Sequence, residues 1–169
     1  WSALAESSSV ETVGPALQQT MIWLPNLPVE QEVYVAFRKE FTLDALPERA
    51  VLELFADSRY LLWINGRYVE RGPCRFDPKG PEYDSLDVRT FLQKGTNAVA
   101  VLVHHLHDGR QAGEPGDFSG RIMRHVPGLT ARLELSEASG QRVLTTDPTW
   151  RGSSQTRYLP SGPAWSSIS

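Results

Sequence analysis

Between Val33 and Phe41 the chain alternates with a period of two. Val33, Val35, Phe37, Lys39 and Phe41 fall on one face of an extended segment, and Tyr34, Ala36, Arg38 and Glu40 on the other. The same period returns at 128–136, where Leu129, Ala131, Leu133 and Leu135 oppose Thr130, Arg132 and Glu134. Such segments can bury only one side, so each needs a second layer to cover it. Further apolar runs at 50–56, 60–64 and 98–106 are separated by turn signals: Asp57-Ser58, Asn65-Gly66, Lys94-Gly95-Thr96-Asn97 and Ser139-Gly140. Asn-Gly is a strong hairpin signal, because both residues tolerate the positive φ of a type I′ turn, and 67–70 is the expected return strand. The segment RGPCRFDPKGPEYDS that follows is too rich in Pro and Gly to hold a ladder. Leu86-Asp87-Val88 and Phe91-Leu92 lead from it to the next strand. A loop of roughly twenty residues from His107 to Pro127 is longer than compact domains usually carry. Seven or eight short strands and no convincing helix predict an all-β fold, a β-sandwich or jelly roll.

The composition agrees and narrows the function classes. At 169 residues the length suits a single domain, read as a lead-in over 1–20 and one β-sandwich over 21–169. With 17 basic and 20 acidic side chains the net charge is −3, which argues against a nucleic-acid partner. One cysteine, Cys74, excludes an intrachain disulfide and a multi-cysteine metal site. Apolar runs such as Ala98–Val103 fall far short of the ~20 residues of a membrane span. No basic region followed by an apolar core opens the chain, so no signal peptide is visible, and the parent protein is either cytoplasmic or exported. The first residue is Trp, which suggests a processed product or a piece of something longer.

No catalytic motif stands out. There is no Gly-x-Ser-x-Gly elbow and no phosphate-cradling loop. Cys74, beside Arg71 and Arg75, reads as incidental. His104 and His105 point to opposite faces of a strand, so only His105 and His107 can converge, with Asp108 beginning the loop. No zinc spacing fits them, and no metal site is assigned. Asp108, Glu114 and Asp117 supply hard oxygens in a Gly-rich loop, which leaves a structural calcium ion open as the one cofactor. Twenty acids ensure that some carboxylate pair has glycosidase spacing, so that signal is empty. Sugars are held by aromatic faces and planar polar groups, and five Trp, five Tyr and 14 Arg supply both. Trp63, inside a strand, reads as core, and Trp23 and Trp150 as plugs at the sandwich edges. If sugar is bound, the candidates are Arg71, Arg75 and Tyr83 after the hairpin and His105, Asp108, Arg110, Glu114 and Asp117 around the long loop. Whether the two regions meet is open from the sequence.

The order of segments resembles the N-terminal β-sandwich domain, galactose-binding-like, of bacterial α-L-rhamnosidases. The resemblance covers about residues 20–165. It rests on Ile22-Trp23, Phe37-Arg38-Lys39-Glu40-Phe41, Ala56-Asp57-Ser58-Arg59-Tyr60 and Trp63-Ile64-Asn65-Gly66-Arg67. It continues through Arg71-Gly72-Pro73 with Arg75, Tyr83-Asp84, Asp87-Val88, Gly95-Thr96-Asn97, Pro127-Gly128-Leu129 and Thr146-Asp147-Pro148-Thr149-Trp150-Arg151. Part of this pattern is shared with the sandwiches of β-galactosidases and β-glucuronidases. The resemblance implies a non-catalytic accessory module of a glycoside hydrolase, packed beside a catalytic domain of the same polypeptide and in some relatives touching sugar. The motifs also have structural roles: Asp87 braces the turn before Phe91, Asn97 satisfies backbone groups at a strand entry, and Gly72-Pro73 ends the return strand. Two other readings compete. One is a structural or interaction module of a β-galactosidase-like or other enzyme, with no ligand of its own. The other is a small stand-alone hydrolase, which would need a cleft of converging carboxylates.

Overall fold

The alternation read along the chain becomes the inside and outside of two sheets. A computed structural model describes residues 21–28, 31–73, 83–106 and 127–155. They form nine strands: β1 (Val33–Leu43), β2 (Arg49–Asp57), β3 (Arg59–Ile64), β4 (Arg67–Gly72), β5 (Asp84–Asp87), β6 (Gly95–His105), β7 (Gly128–Glu137), β8 (Gly140–Thr145) and β9 (Arg151–Ser154). One 3₁₀ turn, Arg89–Phe91, precedes β6. The strands pair antiparallel in a five-stranded sheet, β4-β3-β6-β1-β9, and a four-stranded sheet, β5-β2-β7-β8.

Two connections, β3–β4 and β7–β8, are hairpins within a sheet, and the other links between successive strands cross from one sheet to the other. The core between the layers takes Val35, Phe37 and Phe41 from β1, Leu62 and Ile64 from β3, and Val99, Val101 and Val103 from β6. Ala50, Leu52 and Leu54 of β2 face them, with Leu129, Ala131, Leu133 and Leu135 of β7. Trp23 and Trp150 are buried at the rim of this core, as expected. Trp63 is not: the alternation of β3 buries Tyr60, Leu62 and Ile64 and turns Trp63 to the outer face, half-exposed. Lys39 lies in the core phase of β1, and its chain runs out to place the ammonium 3.6 Å from Asp147.

The end of the sandwich that carries the β3–β4 hairpin is closed by short, hydrogen-bonded turns. Asn65 and Gly66 take φ of 52° and 78°, the positive values a type I′ turn requires. Asn97 is fully buried, with its amide donating to the carbonyls of Gln93 and Gly95 and its Oδ1 accepting from Gln93 N and Asn65 Nδ2. Asn65 in turn reaches Phe91 O and receives Ala98 N. Asp87 Oδ1 accepts from Arg89 N at 3.0 Å, the brace expected of it.

Candidate functional site

The opposite end of the sandwich carries the long connections, and strand directions make this unavoidable. β3 begins where β4 ends, β6 ends where β1 begins, and β2 ends where β7 begins; Tyr60 pairs with both Gly72 and Val103, and Asp57 with Gly128. The segment after the hairpin therefore leaves from Gly72-Pro73 and returns at Tyr83, and the long loop leaves from Leu106 and returns at Pro127, all on this one end.

The two roots are held by residues two positions apart. Ser58 Oγ accepts from Leu106 N at 3.1 Å and donates to Asp57 Oδ1 at 2.8 Å, while Ser58 N donates to His104 O at 3.2 Å. That fixes the start of the long loop. Tyr60 Oη donates to Asp84 Oδ2, joining the five-stranded sheet to the four-stranded one. Gly72 sits against this pair: a Cβ there would lie 2.6 Å from Tyr60 Oη and 2.7 Å from its ring. The two loops therefore spring from neighbouring roots, at Gly72-Pro73 and Leu106. The far root of the long loop is tied by the Ile22–Leu129 bridge, 2.8 and 3.0 Å.

Buried polar groups concentrate here. Asp57, Ser58, His104, His105 and Thr130 are each at most 3% exposed. Phe55 and its cross-strand partner Thr130 are buried although the alternation of β2 and β7 points them away from the core. His104, on the outer side of β6, stacks on Tyr34 with centroids 4.0 Å apart and planes 9° from parallel. Its Nε2 lies 2.6 Å from Glu32 Oε1. Burial, then the positive Arg59 and then His105, hold the His104 imidazole down to about 3. At neutral pH the ring is therefore uncharged, Nε2–H donates to the carboxylate, and Nδ1 has no partner among the described residues. Burial raises the Glu32 carboxyl, against the pull of Arg59.

The sequence-predicted sugar contacts distribute as follows. Arg71 is exposed on β4, one residue before Gly72. Tyr83, 39% exposed, immediately precedes β5. His105 is fully buried on the core side of β6, its ring edge-on to Trp23 at 6.1 Å and 70°. Arg75, Asp108, Arg110, Glu114 and Asp117 lie outside the described residues, as do His107, Cys74 and the 1–20 lead-in. The opposite facing of His104 and His105 is as expected. Among the described residues no group of three His, Cys, Asp or Glu side chains is placed to hold a metal ion, and no helix is long and apolar enough to cross a membrane. Sequence reasoning passed over Ser58, Tyr60 and Asp84 as anchors of the loop roots. Ala-Asp-Ser-Arg-Tyr stands out as a pattern, but only the pairing shows which strand ends those side chains reach.

No protein-family model matches the chain, and no curated protein sequence does. Solved structures do. The chain is similar to the GH78-family rhamnosidase of Bacillus sp. GL1 with a TM-score of 0.66 and 35% identity, over 80% of this chain and 13% of that one. It is similar to the α-L-rhamnosidase of Streptomyces avermitilis, solved with L-rhamnose, with a TM-score of 0.59 and 20% identity, over 79% of this chain and 12% of that one. A lectin from Pleurotus ostreatus, solved with GalNAc, shares the fold at a TM-score of 0.55 and 18% identity, over 79% of this chain and 35% of the lectin. The chain belongs with the α-L-rhamnosidases as one β-sandwich domain, spanning 12–13% of the length of the Bacillus and Streptomyces enzymes.

Proposed function

We propose that this chain is a non-catalytic accessory module of an α-L-rhamnosidase-like glycoside hydrolase, which scaffolds the catalytic domain of the same polypeptide and holds carbohydrate at its long-loop end. One observation supports this most: Ser58 and Tyr60 set the roots of both candidate loops side by side, so residues far apart in sequence can line one site. In this reading Arg71 and Tyr83 contact sugar directly, and Arg75, Asp108, Arg110, Glu114 and Asp117 join them from the loops. His105, enclosed against Trp23, positions the long loop from beneath. The Pleurotus lectin, of the same fold, binds GalNAc, which is the precedent for sugar on such a sandwich.

Isothermal titration of the 169-residue chain with L-rhamnose, galactose and plant or bacterial polysaccharides tests the binding half. Saturable heat with at least one sugar is expected, weakened about tenfold by Arg71→Ala or Tyr83→Ala. A clean null across the panel would leave the scaffold role alone. For that role, deleting this segment from the parent enzyme should lower the melting temperature of the remainder; an unchanged melt would remove it.

A further inference from the structure

The outer face of the five-stranded sheet carries a pattern that the loop-end reading does not use. One register row crosses all five strands: Tyr68 on β4, Trp63 on β3, Ala100 on β6, Arg38 on β1 and Arg151 on β9. At ~4.8 Å per strand step it is about 19 Å long. Its ends differ in chemistry. At one end Trp63 and Tyr68 meet with centroids 6.2 Å apart and planes at 71°, and Tyr68 is 53% exposed. At the other, Arg38 and Arg151 are exposed side by side. Between them lies Ala100, with Ala36 and Ala98 on the adjoining rows, so no bulky side chain divides the row.

Charge separates the two outer faces of the molecule. The five-stranded face presents Arg38, Arg59, Arg71 and Arg151 against Glu32 and Glu40. The four-stranded face presents Glu53, Asp87 and Glu134 against Arg49 and Arg132, the latter paired to Glu53 and Glu134. A positive face on a chain of net charge −3 runs against the average. Arg38 pairs with Glu40 at 2.5 Å, whereas Arg71 and Arg151 have no ion pair among the described residues. Uncommitted guanidinium groups are suited to carboxylates, which they grip through two parallel hydrogen bonds. Aromatic rings offer an apolar face to the C–H side of a sugar ring.

We propose that this row binds an acidic polysaccharide, with one ring packed on Trp63 and Tyr68 and a uronate carboxylate on Arg151, beside the Arg38–Glu40 pair. An acidic protein surface meets the same charges, and the test below separates it from a glycan. The site is separate from the loop end and does not rest on that reading.

The test is affinity electrophoresis of the 169-residue chain in gels containing polygalacturonate, dextran sulfate or dextran, with L-rhamnose titrated in parallel to report on the loop end. Retardation by polygalacturonate, reduced by salt and absent in dextran, is expected. Tyr68→Ala, Trp63→Ala and Arg151→Ala should each weaken it about tenfold, with Arg151→Lys retaining part, while the L-rhamnose response stays as in the parent chain. Circular dichroism melts identify any variant that has lost its fold, and the exposed Tyr68 and Arg151 keep the test alive if Trp63→Ala does. No retardation would overturn the proposal. So would retardation that survives Tyr68→Ala and Arg151→Ala or is matched by dextran sulfate, since that is bare charge attraction. Self-association or protein capture abolished by Tyr68→Ala, without glycan binding, would assign the face to a protein partner instead.

Discussion

His104 shows how one side chain can set a pH response. In the unfolded chain an imidazole takes up its proton near 6.5, whereas in the fold this one does so only near 3. Between those values the unfolded state holds more protons, so acid draws the equilibrium toward unfolding. Each pH unit across that window removes up to about 1.4 kcal/mol. Glu32 acts in the opposite sense: its raised carboxyl protonates more readily in the fold and offsets part of the loss at the acid end. The urea midpoint should therefore fall between pH 7 and pH 5, and fall less in His104→Gln, which keeps a donor for Glu32 but has no ring to titrate. Equal pH slopes for the two proteins would refute the assignment. The sequence showed that His104 and His105 must part company. It did not show that one would stack on Tyr34 beside Glu32, since Glu32 lies 72 positions away.

Among the elements, the closed end of the sandwich was the most legible. Asn-Gly announces its own turn, because the conformation it needs is local. Asn97, expected to satisfy backbone at a strand entry, makes three hydrogen bonds to backbone groups and accepts a fourth from Asn65 Nδ2. Asn97→Ala would strand buried donors and acceptors in the 91–97 turn and at Asn65. We expect a loss of about 3 kcal/mol in urea unfolding, from a penalty of ~1–3 kcal/mol per buried unsatisfied group. A loss below about 1 kcal/mol would show that water replaces the amide at little cost. Other elements were less legible. The Ser- and Gly-rich segment at 151–154 became β9 because β1 offers it an open edge, and Gly152 fits where a Cβ would lie 2.7 Å from Leu24 and 3.3 Å from Phe37. Trp63 reads as core from its place inside a strand, but the pleat of β3 decides its side, and Tyr60, Leu62 and Ile64 take the inner one.

On the scale of the whole molecule, stability should be graded by position in the sheets. β6 is paired on both sides, with β3 and β1, while β9 is four residues long at an edge. Amides of Val99–Val103 should exchange with solvent only through global unfolding, and those of Arg151–Ser154 through local opening, far faster. Native-state hydrogen exchange measures this directly, and matching rates in β6 and β9 would overturn it. The sandwich itself was written in the sequence. A period of two fixes which side chains seek cover, and turn chemistry fixes where the chain reverses; both are properties of neighbouring residues. Tertiary structure alone decided what shares an end or a face. Only strand order and register bring Ser58 to Leu106, Tyr60 to Asp84, and Tyr68, Trp63, Arg38 and Arg151 into one row, because pairing between distant strands depends on how both sheets close over a common core.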